Sequence, residues 1–370
     1  MAKSDRTEDL RQSGEDAYFA AANSAQGFRS WYSEIFDDKR ITRLYAIKGG
    51  PGTGKSCFLR EVARAGRAVG RHAEMIRCSS DPDSLDGVIL TREGEDGIAL
   101  LDATAPHVYE PTHPGYREEL IDLGQFWDTE RLRNDGERIR HLAEEKSAAY
   151  RRAYRCLEGY GALMKNAEEL VTPCLREAAI ARCAARLMRE IPNGNGFSPR
   201  TALMRGVGMR GSVLLDTFYA SAERIVLIED LHGSAYALMR ELYRLCAEKR
   251  LSVRVSRDPL LPERTDALFL TDCKLLFAAM PEETCRYPHK SVSMRRMTDA
   301  AALRRVRVSL GYAERTARVL LTGATDELSR ASDLHFQAEA LYSAAMDFPA
   351  KERFTKAFCD RLFGQAEARS

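Results

Sequence analysis

The chain has 370 residues, 44% of them hydrophobic and 30% charged, which is room and composition for two domains of ordinary size. A net charge of +2 does not mark the whole molecule as a polyanion binder, and 9 cysteines without a C-x-x-C pair argue against a disulfide framework and against a zinc site. The polar start Met1-Ala2-Lys3-Ser4-Asp5-Arg6, and the lack of any apolar run near about 18 residues, predict a cytoplasmic chain with no signal peptide and no membrane span.

Residues 1 to about 25 are polar and read as a partly ordered lead-in. Gly27 to Phe36 places Phe28, Trp31, Tyr32 and Ile35 on one side of a short helix, either to pack on a sheet edge or to stack an adenine on Trp31 or Tyr32. Arg43-Leu44-Tyr45-Ala46-Ile47 reads as a buried strand. The segment Gly49-Gly50-Pro51-Gly52-Thr53-Gly54-Lys55-Ser56 follows and fits G-x-x-x-x-G-K-[ST] without a mismatch. Glycines let such a loop turn tightly and aim its N–H groups at phosphate oxygens, and the helix start behind it favours the same anion. Gly50, Pro51, Gly52, Thr53, Gly54, Lys55, Ser56 and Cys57 are therefore the candidate nucleotide-binding residues. Lys55 would reach the β- and γ-phosphates and the Ser56 hydroxyl would ligate Mg²⁺. An apolar helix at Phe58, Leu59, Val62 and Ala63 completes the strand–loop–helix context.

Ala73 to Cys78 predicts a second strand that opens into Ser79-Ser80-Asp81-Pro82-Asp83-Ser84-Leu85-Asp86-Gly87, an acidic loop on the ligand-binding edge of an α/β sheet. One of Asp81, Asp83 or Asp86 can orient an attacking water. Val88-Ile89-Leu90 resumes a strand, and Gly97-Ile98-Ala99-Leu100-Leu101-Asp102 is an apolar run ending in an acid. Asp102 then either helps Ser56 hold Mg²⁺ or caps a strand end. His107, on the same edge, is a substrate contact or a structural histidine. Gly115 to Trp127 predicts a helix closing this half.

From Asp128 to Ile191 the pattern is helical, with Gly159-Tyr160-Gly161 as a turn between two long helices and Pro173 splitting the second. Pro192 to Gly196 is a linker. The beginning then repeats at an offset of about 175 to 181 residues. Arg224 to Ile228 matches the first strand, Ser256-Arg257-Asp258-Pro259 matches Ser79 to Pro82, and Leu275 to Pro281 matches Leu100 to Pro106. In place of the loop stands Glu229-Asp230-Leu231-His232-Gly233-Ser234, which has no Lys and brings two acids where phosphate would lie. Ala278 takes the place of Asp102 or its neighbour. Residues 291 to 370 are helical, Ala338-Glu339-Ala340-Leu341 echoes Ala167 to Leu170, and Arg295, Arg296, Arg304, Arg305 and Arg307 are either a solvated face or a contact for nucleic acid or nucleotide.

On the strength of the loop, of residues 78–87, of Asp102 to His107 and of the repeat, the chain resembles an uncharacterised bacterial family of tandem P-loop ATPases, also described as nucleotide kinase-like. The resemblance implies ATP binding and no settled substrate. It also implies a Lys-Ser/Thr loop in the second half, where this sequence departs. The expected fold is α/β, with tandem P-loop NTPase-like three-layer units, each a mainly parallel sheet with an appended helical hairpin. The expected division is a P-loop half over 1–127, a hairpin over 128–192, a degenerate half over 193–290 and a helical segment over 291–370. The expected function is Mg²⁺-dependent ATP hydrolysis at one site, with Lys55, Asp102, Asp81, Asp83 and Asp86 as catalytic candidates. The alternatives are a small-molecule kinase, with the Arg-rich stretch as its lid, and a nucleotide-gated module with a protein partner.

Overall fold

The computed structural model describes residues 16–107, 109–280 and 285–364. The strands that begin the first half are β1 (Asp16–Phe19), β2 (Ala21–Ser24), β3 (Gly27–Ser30) and, after the short helix α1 (Tyr32–Phe36), β4 (Ile41–Lys48). Helix α2 (Lys55–Ala68) leads to β5 (His72–Arg77), β6 (Leu85–Thr91), β7 (Gly97–Asp102) and β8 (Glu118–Asp122). Helices α3 (Thr129–Asn134), α4 (Gly136–Val171) and α5 (Glu177–Met188) end the half.

The second half repeats this plan. It runs β9 (Ser198–Thr201), β10 (Arg205–Gly208), β11 (Gly211–Leu214), α6 (Thr217–Ser221), β12 (Arg224–Glu229) and α7 (Ala235–Glu248). Then come β13 (Ser252–Arg257), β14 (Thr265–Leu270), β15 (Leu275–Ala278), β16 (Lys290–Ser293), α8 (Ala300–Ala344) and α9 (Phe348–Phe363).

Each half carries a six-stranded, mainly parallel sheet. The orders are β1-β5-β6-β7-β4-β8 and β9-β13-β14-β15-β12-β16, the same path in both halves. The antiparallel pairs are also the same, β5–β6–β7 and β13–β14–β15, and the pairs β5–β6 and β13–β14 share a register shift at the matching place, after Ile76 and after Ser256. The duplication read from the sequence is thus a duplication of topology, but the register corrects two of its matches: Asp258 stands level with Cys78 rather than Asp81, and Leu275 with Ile98 rather than Leu100. Strand β4 lies between β7 and β8, and Leu44, Tyr45, Ala46 and Ile47 are all buried, as expected of a parallel strand covered on both faces.

Four expectations fail here. Asp16 to Ser24 are not a lead-in: β1 is the parallel neighbour of β5, and Tyr18, Phe19, Ala22 and Asn23 are fully buried. Residues 1–15 and Pro281 lie outside the described residues. The helix expected from Gly27 starts only at Tyr32, because Gly27 to Ser30 pair with β2 as a hairpin. Gly115 to Trp127 form no α-helix: β8 extends the sheet beside β4, burying Glu118 and Ile121 while Leu120 stays 60% exposed. Last, there is no turn at Gly159-Tyr160-Gly161, since α4 is one helix of 36 residues. The chain breaks instead where Pro173 sits, between Val171 and Glu177.

Helix α4 finds its partner in the other half. It packs along the 45-residue α8, with Leu142 against Leu334 and Ala338 at one end and Ala167 against Leu310 and Ala313 at the other, so the two run antiparallel. Glycines keep α4 close to its neighbours, to Leu320 of α8 at Gly159 and to Ala25 of the β2–β3 turn at Gly161. A Cβ on Gly161 would lie 2.4 Å from that of Ala25, and one on Gly159 would lie 3.0 Å from Leu320. Beyond the long helices the halves exchange their last elements. Helix α9 packs on α2 of the first half through Phe354 and Phe358 against Phe58, and α5 packs on α7 of the second. Two backbone bridges mark the crossings, Trp127 with Met346 and Leu175 with Thr298. Among the described residues no helix is long and apolar enough to cross a membrane.

Candidate phosphate-binding site

The loop between β4 and α2 turns on glycines in the left-handed region, Gly52 at φ 72° and Gly54 at φ 76°. Gly54 is also the residue that starts α2, and no side chain caps that helix. Among the described residues the amides of Thr53, Gly54, Lys55 and Ser56 close no hydrogen bond, so they remain donors for an anion at a helix N-terminus. The Lys55 ammonium folds back into the loop and donates to the carbonyls of Gly49 (2.7 Å) and Gly50 (2.9 Å). The Thr53 hydroxyl donates to Gly50 O and the Thr104 hydroxyl to Gly49 O, which fixes the loop from inside and from the β7 edge. Apart from buried Thr53 and exposed Cys57, residues 49–57 are half-buried, so the loop is neither sealed nor free.

Asp102 ends β7 directly beside Ile47 of β4, and its carboxylate lies 3.6 Å from the Lys55 ammonium. Burial raises its pKa; Lys55 opposes that and Asp86 adds to it. Asp102 also accepts the Thr104 N–H, so it caps the strand end and faces Lys55 at once. The Ser56 hydroxyl accepts the Leu85 N–H at 3.0 Å, which leaves a second lone pair. Ser56 and Asp102 are both oxygen donors of the kind that Mg²⁺ takes.

The three acids expected in one loop part company, and Asp86 lies not in the loop but within β6. Asp81 closes its own turn by accepting from Ser84 Oγ, and its charge is felt at His335 and Glu339 near the loop of residues 49–56. Asp83 is turned outward onto Arg210. Asp86 is 6% exposed and pairs with His107 Nε2 at 3.1 Å.

Apart from Trp127, the residues that cover the loop were missed by sequence reasoning, because they come from the end of the chain. A Cβ on Gly52 would meet Ser343 Oγ at 2.5 Å and Glu339 O at 2.7 Å, and Ser343 donates to Gly52 O. Trp127 and Tyr342 crowd Gly50, and Lys351 and Phe348 stand over Gly54. Lys351 is 3% exposed. Burial, with Lys146 and Lys55 nearby, pushes the His335 pKa down to about 4, so this imidazole is neutral at pH 7. The only sequence signal for this cover was the echo of Ala167 to Leu170 in Ala338 to Leu341. Glu168 does in the second half what Glu339 does in the first, reaching the opposite loop.

That second loop is filled by its own chain. The Asp230 carboxylate accepts the N–H groups of Gly233 (2.6 Å) and Ala235 (2.7 Å), which takes donors of the helix start. Arg264 lies against Gly233, paired with Glu168 at 2.6 Å and stacked on Tyr236. Register puts Ala278 level with Leu101 and therefore Ala279 in the place of Asp102.

The arginine-rich stretch does not close over the acidic loop. Arg304, Arg305 and Arg307 lie at the start of α8, and Glu339, which approaches the phosphate loop, is about 50 Å further along the helix.

No family model, curated protein or solved structure matches the chain.

Proposed function

We propose that the chain is an ATP-binding P-loop NTPase with a single competent, Mg²⁺-dependent site in its first half. The observation that carries this reading is the set of open amides at Thr53 to Ser56, with the Lys55 ammonium held between loop carbonyls and Asp102. A triphosphate would take the amides as hydrogen-bond donors, and Lys55 would turn from Gly49 and Gly50 to its β- and γ-oxygens. Ser56 and Asp102 would hold Mg²⁺, which neutralises phosphate charge when bound. Asp81 is the acid proposed to orient water, because its partner is only Ser84 of its own turn and its charge reaches Glu339 beside Gly52, whereas Asp83 pairs with Arg210 and Asp86 with His107. Cytoplasmic location and the absence of a membrane contact remain part of the proposal.

A second reading, a nucleotide-gated module with little turnover and a protein or small-molecule partner, is favoured by one observation. The loop touches Glu339 and Ser343 of the other half, so filling it changes a contact between halves. Transfer to a small-molecule acceptor loses its arginine lid, and nucleic-acid binding keeps only the exposed arginines of α8. The direct test is Lys55→Ala assayed with a fluorescent ATP analogue. Binding should fall by at least a hundredfold; unchanged affinity sinks the site. Phosphate release without an added acceptor separates hydrolysis from gating.

A further inference from the structure

Behind the phosphate loop, three segments bring together the Cys78 thiol, the Asp86 carboxylate and the His107 imidazole, with one ligand atom of each within 4.8 Å of the others. We infer that this cluster is a binding site for a thiophilic divalent transition metal of the zinc type, separate from Mg²⁺ at the phosphates. Asp86 and His107 are buried and Cys78 is half-buried as a residue, while burial around its thiol holds the thiol pKa up, so the site is enclosed. Tetrahedral Zn²⁺ with bonds of about 2.0–2.3 Å sets its ligand atoms a little over 3 Å apart, and His107 Nε2 stands 3.1 Å from Asp86 Oδ2.

A fourth polar group is aimed into the same space. Tyr32 is 4% exposed, its ring is stacked on His107 at 4.8 Å, and its hydroxyl faces Asp86 and Cys78 without a well-formed hydrogen bond. It can take the fourth position or steady a water there. Phe28 closes the other side of His107 edge-on at 5.1 Å.

The second half supplies an internal control. The shared register shift puts Asp258 where Cys78 stands and Asp266 where Asp86 stands. There the Arg205 guanidinium bridges both acids, at 3.1 Å and 2.8 Å. One copy thus fills this corner with a fixed cation. In the other copy a thiolate and a carboxylate would balance a divalent ion, the thiol proton and the Nε2 proton that His107 shares with Asp86 leaving to solvent as the bonds to the metal form. No C-x-x-C spacing announces such a site, because its ligands come from the end of β5, from β6 and from the segment after β7.

The experiment uses the full chain, stripped with a chelator and titrated with Co²⁺ and Zn²⁺. Co²⁺ should bind at one equivalent and give a thiolate-to-metal charge-transfer absorbance, which Zn²⁺ bleaches. Cys78→Ser should abolish that absorbance and His107→Gln should weaken Zn²⁺ binding at least tenfold, while Cys273→Ser should change neither. Lys55→Ala should keep the metal, so a failure of the nucleotide reading would be seen separately. A wild-type chain that gives no charge-transfer absorbance overturns the inference without any variant, leaving Asp86 and His107 as a plain ion pair. Binding that survives Cys78→Ser overturns it as well.

Discussion

Lys55 and Asp230 occupy matching loops and do opposite things. The first leaves amides open and keeps an ammonium close by, whereas the second spends a carboxylate on the amides of Gly233 and Ala235. A like charge placed there repels phosphate, and its hydrogen bonds hold the loop shut to a rival acceptor. Gly52 shows how tightly the open loop is bound to its cover. It sits at φ 72° with Ser343 Oγ and Glu339 O inside van der Waals distance of any added Cβ. Gly52→Ala should therefore cost about 2–5 kcal/mol, from left-handed strain plus overpacking. Urea unfolding reads this directly, and a loss under about 1 kcal/mol would mean that α8 does not press on the loop.

At the level of elements, the strand–loop–helix around Lys55 was legible because every signal in it is local. The glycines, the apolar strand and the helix face follow one another without help from distant residues. Strand β8 was not legible. Tyr116 to Phe126 has a helical apolar pattern, yet pairing with β4 and burial of Glu118 against Tyr109, Arg117 and the His113 amide outweigh propensity. Helix α4 was misread for the reverse reason: its glycines look like a turn until the partner that needs them is known. Gly161→Ala should destabilise the protein by about 1–2 kcal/mol although alanine is the better helix former, because the Cβ contact with Ala25 outweighs about 1 kcal/mol of propensity. Gly136→Ala, with open space around it, should be neutral or mildly stabilising. Equal effects in thermal melts at both sites would contradict the close packing of α4.

For the molecule as a whole, the duplication was visible in the sequence but the exchange between its halves was not. Nothing in a single repeat says that its last helix serves the other copy. The contact between halves is also charged, and unlike charges stand at corresponding positions: Glu74 on β5 meets Arg254 on β13 as well as Arg200. Burial pushes the Glu74 carboxyl up, but Arg200 and Arg254 more than offset this and bring its pKa down to about 2. A depressed carboxyl stabilises the fold above its unfolded value, and that stability is lost as pH falls through the folded one. Stability should therefore drop by roughly 3 kcal/mol as pH falls from about 4.5 to 2, and Glu74→Gln should flatten this limb in denaturant titrations. A variant with the wild-type slope would show that the pair does not join the halves.

The most direct measurement is calorimetric titration of the full chain with Mg²⁺ and a non-hydrolysable ATP analogue. One nucleotide should bind per chain, Lys55→Ala should abolish the heat, and Asp230→Ala should leave the stoichiometry at one. Two sites per chain, or a site that persists in Lys55→Ala, would contradict a single grip in the first half.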